Sequence, residues 1–331
     1  MKRLFVIAVT LVLMVITWPQ ALGLQRFHLI AQLTALRGLL VVAALGGAAL
    51  CGVLAWRSKA LRGWAVSLAL VLASATALNA GILLSRGTGA PAAPDSTTDL
   101  TVFAWNTLWD RPGARTIATF ALEHGVDVLA LPETSRATAQ TIADLMAAQG
   151  RPMQVFVVAF SEVVVSQSTA LLISASLGEY ALDESVGTTP RLPSLVARPV
   201  SGVGPSFVAA HPVPPFPGIM REWELGLAWL AQRCLEGEVV MAGDLNATLD
   251  HFSGLGRDGA DLGGCFDGAR ATGSAALGTW PARLPPLLAS PIDHVLATPE
   301  WEFSEFRVLT ELDGLGSDHR ALLATLRTRK P

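Results

Sequence analysis

The first 94 residues of this 331-residue chain contain no aspartate or glutamate. They do contain eight basic residues, namely Lys2, Arg3, Arg26, Arg37, Arg57, Lys59, Arg62 and Arg86. Apolar residues make up 51% of the whole chain, which is more than an ordinary single water-soluble domain carries. The missing acidic residues and the apolar excess therefore point to a membrane-embedded N-terminal region.

The rest of the chain lacks an excess of basic residues. All 27 acidic residues lie from Asp95 onwards, against 16 of the 24 basic ones, which gives this part a formal charge of −11. Tight binding to a nucleic-acid backbone regardless of sequence usually requires a basic face that displaces counterions. This negative charge counts against a protein that binds nucleic-acid duplexes non-specifically. A nuclease with a local basic cleft remains an open alternative.

Cysteine is also scarce, with three residues in the chain. This number excludes a disulfide-rich scaffold, and Cys51 lies within an apolar run. In an oxidising compartment, Cys234 and Cys265 would be available for one disulfide bond, which we state as a hypothesis.

Three apolar runs, at 4–24, 39–56 and 65–85, are long enough to cross a bilayer, which takes about 20 residues in a helix. They predict a multi-pass membrane region over residues 1–86. Lys2 and Arg3 precede the first run, and Arg57, Lys59 and Arg62 join the second to the third. Because cytoplasmic loops collect basic residues, this pattern predicts a cell-membrane protein whose C-terminal part lies on the extracytoplasmic face. The loop predicted on the other side of the membrane also contains two basic residues, Arg26 and Arg37, which weakens this charge asymmetry.

Two other interpretations of the apolar region stay open. The first run also has the basic start, apolar centre and small residues, near 21–23, of a cleaved signal peptide. The runs could alternatively form a buried helical hairpin in a soluble protein, although such long uncharged runs seldom pack in a water-soluble core.

A linker is predicted over residues 87–98, where glycine, alanine, proline, serine and threonine dominate. A globular domain is predicted over 99–331. Helical periodicity and stop glycines predict helices at 115–124, 135–149 and 219–235. Short apolar runs predict strands at 100–105, 126–131, 155–160, 170–175, 194–199, 206–210, 238–242, 292–297, 303–309 and 322–326. Helices among mixed strands indicate an α+β or layered α/β sandwich.

Polar residues directly flank six of these apolar strands. Asn106 ends VFAWN, Glu133 follows LALP, and His211 follows FVAA. The others are Asp244 and Asn246 after VVMAG, Asp293 at the start of DHVLA, and Asp318 and His319 before RALLATL. Active sites gather where strands end and loops begin. Carboxylates that hold a cation and orient water, together with imidazoles that offset phosphate charge, suit metal-assisted phosphoryl transfer.

In these motifs the chain resembles the endonuclease/exonuclease/phosphatase superfamily, also called the DNase I-like phosphoesterases. The landmarks occur in family order from about residue 100 to 326: the first-strand Asn, LALPET, AAHP, GDLN, PIDHVL and SDH. The resemblance implies a four-layer α/β sandwich in which two mixed β-sheets are flanked by helices. It also implies a hydrolase that acts on phosphoric esters with a divalent cation, Mg²⁺ or alternatively Mn²⁺.

The resemblance further implies roles for individual residues. Glu133 would be the principal metal ligand, with Asn106 assisting and Asp318 close to the cation. Asp244 would activate the attacking water, which Asn246 helps to hold. Asp293 would orient His319, and His319 and His211 would contact the scissile phosphate. GTWP resembles a family segment near the substrate, so Trp280 is expected in the cleft.

One position departs from the family pattern. Many family nucleases have a second polar residue two positions after the first-strand Asn, where this chain has Leu108. Asp110 is a possible substitute, so a second metal contact is in doubt. His294 is expected to be structural, because alternation along a strand points it away from the Asp293 face.

The sequence leaves the substrate open among nucleic acid, phospholipid and a small phosphodiester, and it implies no protein partner. A catalytically silent receptor or scaffold with the same fold is the alternative function. Loss of the ligands would mark that alternative, and the central residues named above are all retained.

Overall fold

The computed structural model describes residues 2–89, 100–161 and 163–329. Most of the predicted linker 87–98 lies outside the described residues, as do residue 99 and the last two residues of the predicted domain.

The helices occur in two groups. The N-terminal group consists of α1 (Lys2–Thr17), α2 (Ile30–Ala35), α3 (Arg37–Arg57) and α4 (Arg62–Arg86). The second group consists of α5 (Ala114–Glu123), α6 (Arg136–Ala147), α7 (Met220–Arg233) and two single turns, α8 (Leu249–Phe252) and α9 (Gly268–Ala271).

Twelve strands lie in the described part of the chain after residue 99. They are β1 (Leu100–Ala104), β2 (Val128–Pro132), β3 (Met153–Ala159), β4 (Ser168–Ser174), β5 (Tyr180–Leu182), β6 (Leu195–Pro199), β7 (Ser206–Ala210), β8 (Val239–Asp244), β9 (Phe266–Asp267), β10 (Asp293–Ala297), β11 (Trp301–Leu309) and β12 (Ala321–Thr328). The ten predicted strands are all present within a few residues of their expected ends. Only the short strands β5 and β9 were not predicted, because runs of two or three residues show no clear periodicity.

The strands form two mixed six-stranded sheets. The first has the order β11-β12-β1-β2-β4-β3 and the second β5-β6-β7-β8-β10-β9. Each sheet contains one central parallel pair, β1 with β2 and β7 with β8, and its other neighbours are antiparallel. This confirms the two predicted mixed sheets.

The sheets pack face to face, and helices cover their outer faces. Apolar side chains of both sheets meet in one central cluster that includes Val102 and Phe207. Helices α5 and α6 cover the outer face of the first sheet, where Ile117 and Ile142 are fully buried. Helix α7 covers the second sheet with Trp223, which is also fully buried. The predicted four-layer sandwich of the DNase I-like fold is therefore confirmed.

Helices α3 and α4 are long and apolar enough to cross a membrane. Their 21 and 25 residues correspond to about 31 Å and 37 Å of helix, against a hydrocarbon core of about 30 Å. Large side chains along them, including Leu45 and Leu70, are more than half exposed. This exposure disagrees with the alternative of a buried hairpin, whose side chains would be covered by protein.

Helix α1 is shorter than the predicted first span. It ends at Thr17, and a separate 3₁₀ turn, Pro19–Leu22, follows. Pro19 has no N–H for a helical hydrogen bond, and its ring disfavours helical backbone in the residue before it. The expectation of one continuous helix over 4–24 is therefore wrong for its last third.

The N-terminal helices dock on the sandwich through Asp250, which lies in α8. Both Arg37 and Arg86 form ion pairs with its carboxylate, at 2.9 and 2.7 Å. Gln20 donates a further hydrogen bond to it at 2.6 Å. The start of the predicted linker is also held, because the amide of Gly89 donates to the carbonyl of Gly273 at 2.8 Å.

Candidate active site

The topology brings the flanking polar residues to one edge of the sandwich. Asn106 and Glu133 follow the carboxyl ends of the parallel strands β1 and β2. Strand β12 runs antiparallel to β1, so its beginning, just after His319, lies at the same end. In the second sheet Asp293, at the start of β10, pairs with Asp244, at the end of β8. Residues far apart in sequence therefore meet where the two sheets end side by side.

Asn106 joins the two acidic residues on either side of it. Its side-chain amide donates to Glu133 Oε1 at 3.2 Å and to Asp244 Oδ2 at 3.1 Å. Its oxygen accepts from the Leu108 amide at 3.0 Å. In this orientation Asn106 acts as a hydrogen-bond donor toward the carboxylates, and its predicted contact with a cation stays a prediction.

His319 and Asp293 form the predicted carboxylate–imidazole pair. Nδ1 of His319 lies 2.9 Å from Asp293 Oδ2, and Nε2 faces Asp244 Oδ2 at 3.8 Å. The Asp293 contact fixes the ring orientation and leaves Nε2 directed at the acidic group. Geometry thus supports an orienting position for Asp293.

The GDLN segment is folded tightly around Asp244. Gly243 has a φ of 138°, and a side chain there would collide with the carbonyl oxygen of Ala210 on the neighbouring strand. Asn246 has a φ of 48°, its amide N–H donates to Asp244 Oδ1 at 2.9 Å, and its side chain donates to Asp244 Oδ2 at 3.2 Å. Glu133 also has a positive φ, 57°. Such backbone conformations persist where surrounding contacts impose them, and they cluster at functional sites.

His211 and Trp280 complete the group of site residues. His211 is buried, and its Nδ1 lies 3.2 Å from the Thr169 hydroxyl. The indole N–H of Trp280 donates to Asp318 Oδ2 at 3.0 Å. Asp318 Oδ1 in turn lies 4.0 Å from His319 Nε2.

These side chains line one cavity of about 520 Å³. All but one of the nine predicted site residues contribute to it: Asn106, Glu133, His211, Asp244, Asn246, Trp280, Asp318 and His319. Asp293 stands behind His319. Leu108 also lines the cavity, whereas the Asp110 carboxylate accepts the Ser135 amide at 3.0 Å. Asp110 therefore does not substitute for the polar residue missing at 108.

Burial and neighbouring charges shift the proton affinities in opposite senses. Burial raises the pKa of Asp244 to about 7. Burial alone would lower the pKa of His319, but the carboxylates of Asp293 and Asp244 raise it to about 10. Burial lowers the pKa of His211 to about 3, so this imidazole is neutral at pH 7. The cavity thus combines a carboxylate of unusually high proton affinity, a cationic imidazole and a neutral one.

The oxygen atoms in the site fit a divalent cation. Three carboxylate oxygens are buried and have no hydrogen-bond partner among the described residues: Glu133 Oε2, Asp293 Oδ1 and Asp318 Oδ1. Hard cations such as Mg²⁺ prefer such oxygens. Asp244, Asp293 and His319 also lie within the mutual distance expected of metal ligands. His319 already uses Nδ1 for Asp293, whereas Glu133 and Asp318 line the cavity and each has one oxygen without a hydrogen-bond partner among the described residues.

Helix α2 and the residue that follows it supply cavity residues that sequence reasoning missed, namely Gln32, Ala35 and Leu36. One signal was available. Arg37 and Arg86 have no acidic partner within the first 94 residues, so if buried they must pair with the second domain. That pairing, through Asp250, brings α2 to the site.

The disulfide hypothesis and the structural assignment of His294 agree with the structure. Cys234 and Cys265 are joined, and Cys51 is free. The His294 ring is buried between Asp267 and the Ala247 carbonyl, at 2.7 and 2.8 Å. It points away from the cavity, as strand alternation predicts.

Comparison with known proteins agrees with this fold. The endonuclease/exonuclease/phosphatase family model matches residues 103–319, and the chain belongs to that family. The comparison with curated proteins finds no match.

Several solved structures are similar to the chain. D. rerio TDP2, humanized by 14 mutations, has a TM-score of 0.52 and 18% identity over 69% of this chain and 99% of its own. D. rerio TDP2 complexed with single strand DNA product gives the same values. An endonuclease/exonuclease/phosphatase from Beutenbergia cavernae has a TM-score of 0.50 and 20% identity over 70% of this chain and 72% of its own. At these identities the likeness concerns the fold.

Proposed function

We propose that the chain is a membrane-anchored, divalent-metal-dependent phosphoesterase that hydrolyses a phosphate ester with an activated water. The observation that carries this proposal is the meeting of Glu133, Asp244 and His319 in one cavity, although they come from three distant parts of the sequence. Family membership supports the reaction class.

Glu133 and Asp318 would hold the cation, with Asn106 beside it. Their unpartnered carboxylate oxygens match the ligands of Mg²⁺, and Mn²⁺ accepts the same set. When bound, the cation would polarise the phosphoryl oxygen and offset its negative charge.

Asp244 would accept a proton from the attacking water. Its raised pKa, about 7, suits a general base near neutral pH. Asn246 donates to both Asp244 oxygens and so fixes the direction of the carboxylate.

His319 would stabilise negative charge on the phosphate. Its imidazole is cationic at neutral pH and oriented by Asp293, so Nε2–H can donate to a phosphate oxygen. His211 is neutral and would offer an uncharged hydrogen bond on the other side of the cavity. Trp280 would limit the space for the substrate.

Charges at the two ends of the helical region support membrane anchoring with an extracytoplasmic catalytic domain. Phe5 of α1 contacts Trp64 of α4, at 6.0 Å between ring centroids. Lys2 and Arg3 therefore lie at the same end as Arg57, Lys59 and Arg62, which fits a cytoplasmic end.

The two arginines that weaken the charge asymmetry are bound by the catalytic domain. Arg26 donates to the carbonyls of His251 and Ser253, at 2.8 and 2.9 Å, and Arg37 pairs with Asp250. The Cys234–Cys265 disulfide also fits an oxidising, extracytoplasmic compartment.

The test uses the full chain in detergent micelles with bis(p-nitrophenyl) phosphate as a generic diester. We expect hydrolysis with Mg²⁺ or Mn²⁺ and none after chelation by EDTA. Glu133→Gln should lower turnover by about a thousandfold, as expected for removal of a principal catalytic interaction. Glu123→Gln, at an exposed position in α5 outside the cavity, is the matched control. Metal-independent hydrolysis, or full activity of Glu133→Gln, would reject the proposal and leave the silent scaffold.

A further inference from the structure

The N-terminal region forms one wall of the candidate active site. Gln32 and Ala35 of α2, and Leu36 directly after it, line the same cavity as Glu133 and His319. The catalytic domain alone therefore lacks part of the surface that a substrate would touch.

This wall is fixed in place by contacts with the catalytic domain. Ala31 is fully buried in the apolar cluster beneath α7, and its carbonyl lies 3.1 Å from His251 Nε2. The Gln32 side-chain amide donates to the Pro215 carbonyl. Gln25 donates to the Ser253 carbonyl at 2.9 Å. An element held by both packing and hydrogen bonds acts as part of the site.

The same wall lies where the bilayer would begin. Leu36 lines the cavity, and α3 starts at the next residue, Arg37. The length of α3, about 31 Å, matches the thickness of the hydrocarbon core. No part of the helix is therefore left over to separate the cavity from the bilayer. Val42, less than two turns further on, is more than half exposed. The cavity therefore sits at the outer surface of the proposed membrane.

The lining suits an amphiphilic molecule better than a nucleic acid. Apolar side chains from five separate segments line the cavity together with the proposed catalytic residues, namely Leu36, Leu108, Leu192, Phe216 and Ile292. No lysine or arginine occurs among the described residues that line it. A nucleic-acid backbone is normally held by such cations, whereas an acyl chain requires only apolar surface.

Gln32 adds a polar feature to this apolar wall. Its side-chain oxygen is buried and has no hydrogen-bond partner among the described residues. A buried acceptor of this kind normally finds a donor, and a lipid headgroup can supply a hydroxyl or ammonium.

Resting on the proposed phosphoesterase function, we propose that the substrate is a phosphate ester carried by a membrane lipid of the outer leaflet. Gln32, Ala35 and Leu36 form its specificity-determining wall: Leu36 contacts the apolar chain and Gln32 the headgroup. Water adds to phosphorus, the phosphorus–oxygen bond to the leaving group breaks, and the leaving oxygen takes up a proton.

The experiment uses the full chain reconstituted in vesicles of phosphatidylcholine, phosphatidylglycerol and phosphatidic acid, with Mg²⁺. Turnover of these lipids is compared with that of their short-chain, water-soluble analogues, of a single-stranded oligonucleotide and of bis(p-nitrophenyl) phosphate. We expect at least one long-chain lipid to be hydrolysed with a higher kcat/KM than its soluble analogue and than the oligonucleotide.

Variants test whether the preference for long-chain lipids depends on the wall residues. Leu36→Ser should lower the ratio of lipid to soluble-analogue kcat/KM by about tenfold, the scale of one lost apolar contact in a specificity pocket. Gln32→Ala should reduce kcat/KM for the lipid and provides a second variant if Leu36→Ser folds poorly. Leu33→Ser is the matched control, because Leu33 lies in α2 but does not line the cavity, and the ratio should stay unchanged.

The outcomes separate the two proposals. Metal-dependent hydrolysis of the generic diester or oligonucleotide without any preference for long-chain lipids overturns the lipid proposal and leaves the phosphoesterase. An unchanged ratio in Leu36→Ser together with an unchanged lipid kcat/KM in Gln32→Ala overturns the role of the wall. No metal-dependent hydrolysis of any of these esters rejects the phosphoesterase itself.

Discussion

Two buried aspartates six positions apart, Asp244 and Asp250, experience opposite environments. Asp250 lies where the N-terminal helices dock; burial alone would raise its pKa, but Arg86 and Arg37 hold the pKa below its ordinary value. Asp244 lies in the cavity, has no arginine or lysine partner among the described residues, and has a raised pKa of about 7. The docking site thus neutralises its charge internally, whereas the cavity leaves negative charge for a cation and a proton.

The comparison also relates the two parts of the chain. The N-terminal region is entirely basic in its charged residues, and the rest is acidic. At the docking surface this charge difference attaches the two parts, since two arginines of the N-terminal helices pair with one aspartate. The acidic side chains of the cavity are not paired with these arginines, and they remain available to bind a cation or accept a proton.

The largest expected effect comes from removing the cavity charge. Asp244→Asn should lower turnover about a thousandfold, because an amide cannot accept the water proton, a change of about 4 kcal/mol in activation free energy. The melting temperature should change little, since the buried carboxylate has no arginine or lysine partner among the described residues and the amide that replaces it has nearly the same shape. Steady-state hydrolysis and thermal unfolding check both points, with the exposed Asp144→Asn as control. A large fall in the melting temperature would show that Asp244 is structural like Asp250.

Removing the docking charge should act on stability. Asp250→Ala leaves Arg37 and Arg86 without their carboxylate, and breaking a buried ion pair costs about 3–5 kcal/mol. Thermal and denaturant unfolding in detergent measure the loss, and Asp258→Ala, at an exposed position, is the control. If Asp250→Ala is as stable as the control, docking does not depend on this cluster.

Reduction of the disulfide should destabilise the catalytic domain while leaving its charges alone. Cys234 and Cys265 are 31 positions apart, and a bridge of this kind contributes about 2–4 kcal/mol. We expect a lower melting temperature in reductant and in Cys234→Ser, and no further effect of reductant on that variant. Mass spectrometry that finds both thiols free in oxidised protein would contradict the bridge.

The smallest expected effect concerns the pH profile. His319 loses its proton as pH rises through about 10. Activity that depends on its positively charged imidazole should therefore fall above that pH. Asp293→Asn removes one carboxylate that raises this pKa and should move the alkaline limb to lower pH, with turnover lower by about tenfold or more.

Asp267→Asn provides a matched comparison for that shift. It alters an equally close carboxylate–imidazole pair, with His294, that lies away from the cavity. Its alkaline limb should stay where the wild type has it. Equal movement of the limb in both variants would mean that Asp293 does not act through His319.

Much of this architecture was predictable because strands and helices have local periods. The runs around β1, β7 and β12 ended within a few residues of their expected positions, and the polar residues flanking them marked the site. The single turns α8 and α9 were missed, because four residues are too few to show helical spacing. Asp250 lies in one of these turns and carried no local sign of its role.

The sequence by itself determined the apolar N-terminal runs, the order of strands and helices, and the chemical types of the site residues. Only the tertiary structure decided that Arg37 and Arg86 converge on Asp250, that α2 lines the cavity, and that Asp110 turns away from it. The physical reason is the difference in the sequence distance over which these effects act. Periodicity and turn chemistry act over a few residues, whereas pairing of buried charges joins whichever distant segments the packed sheets bring together.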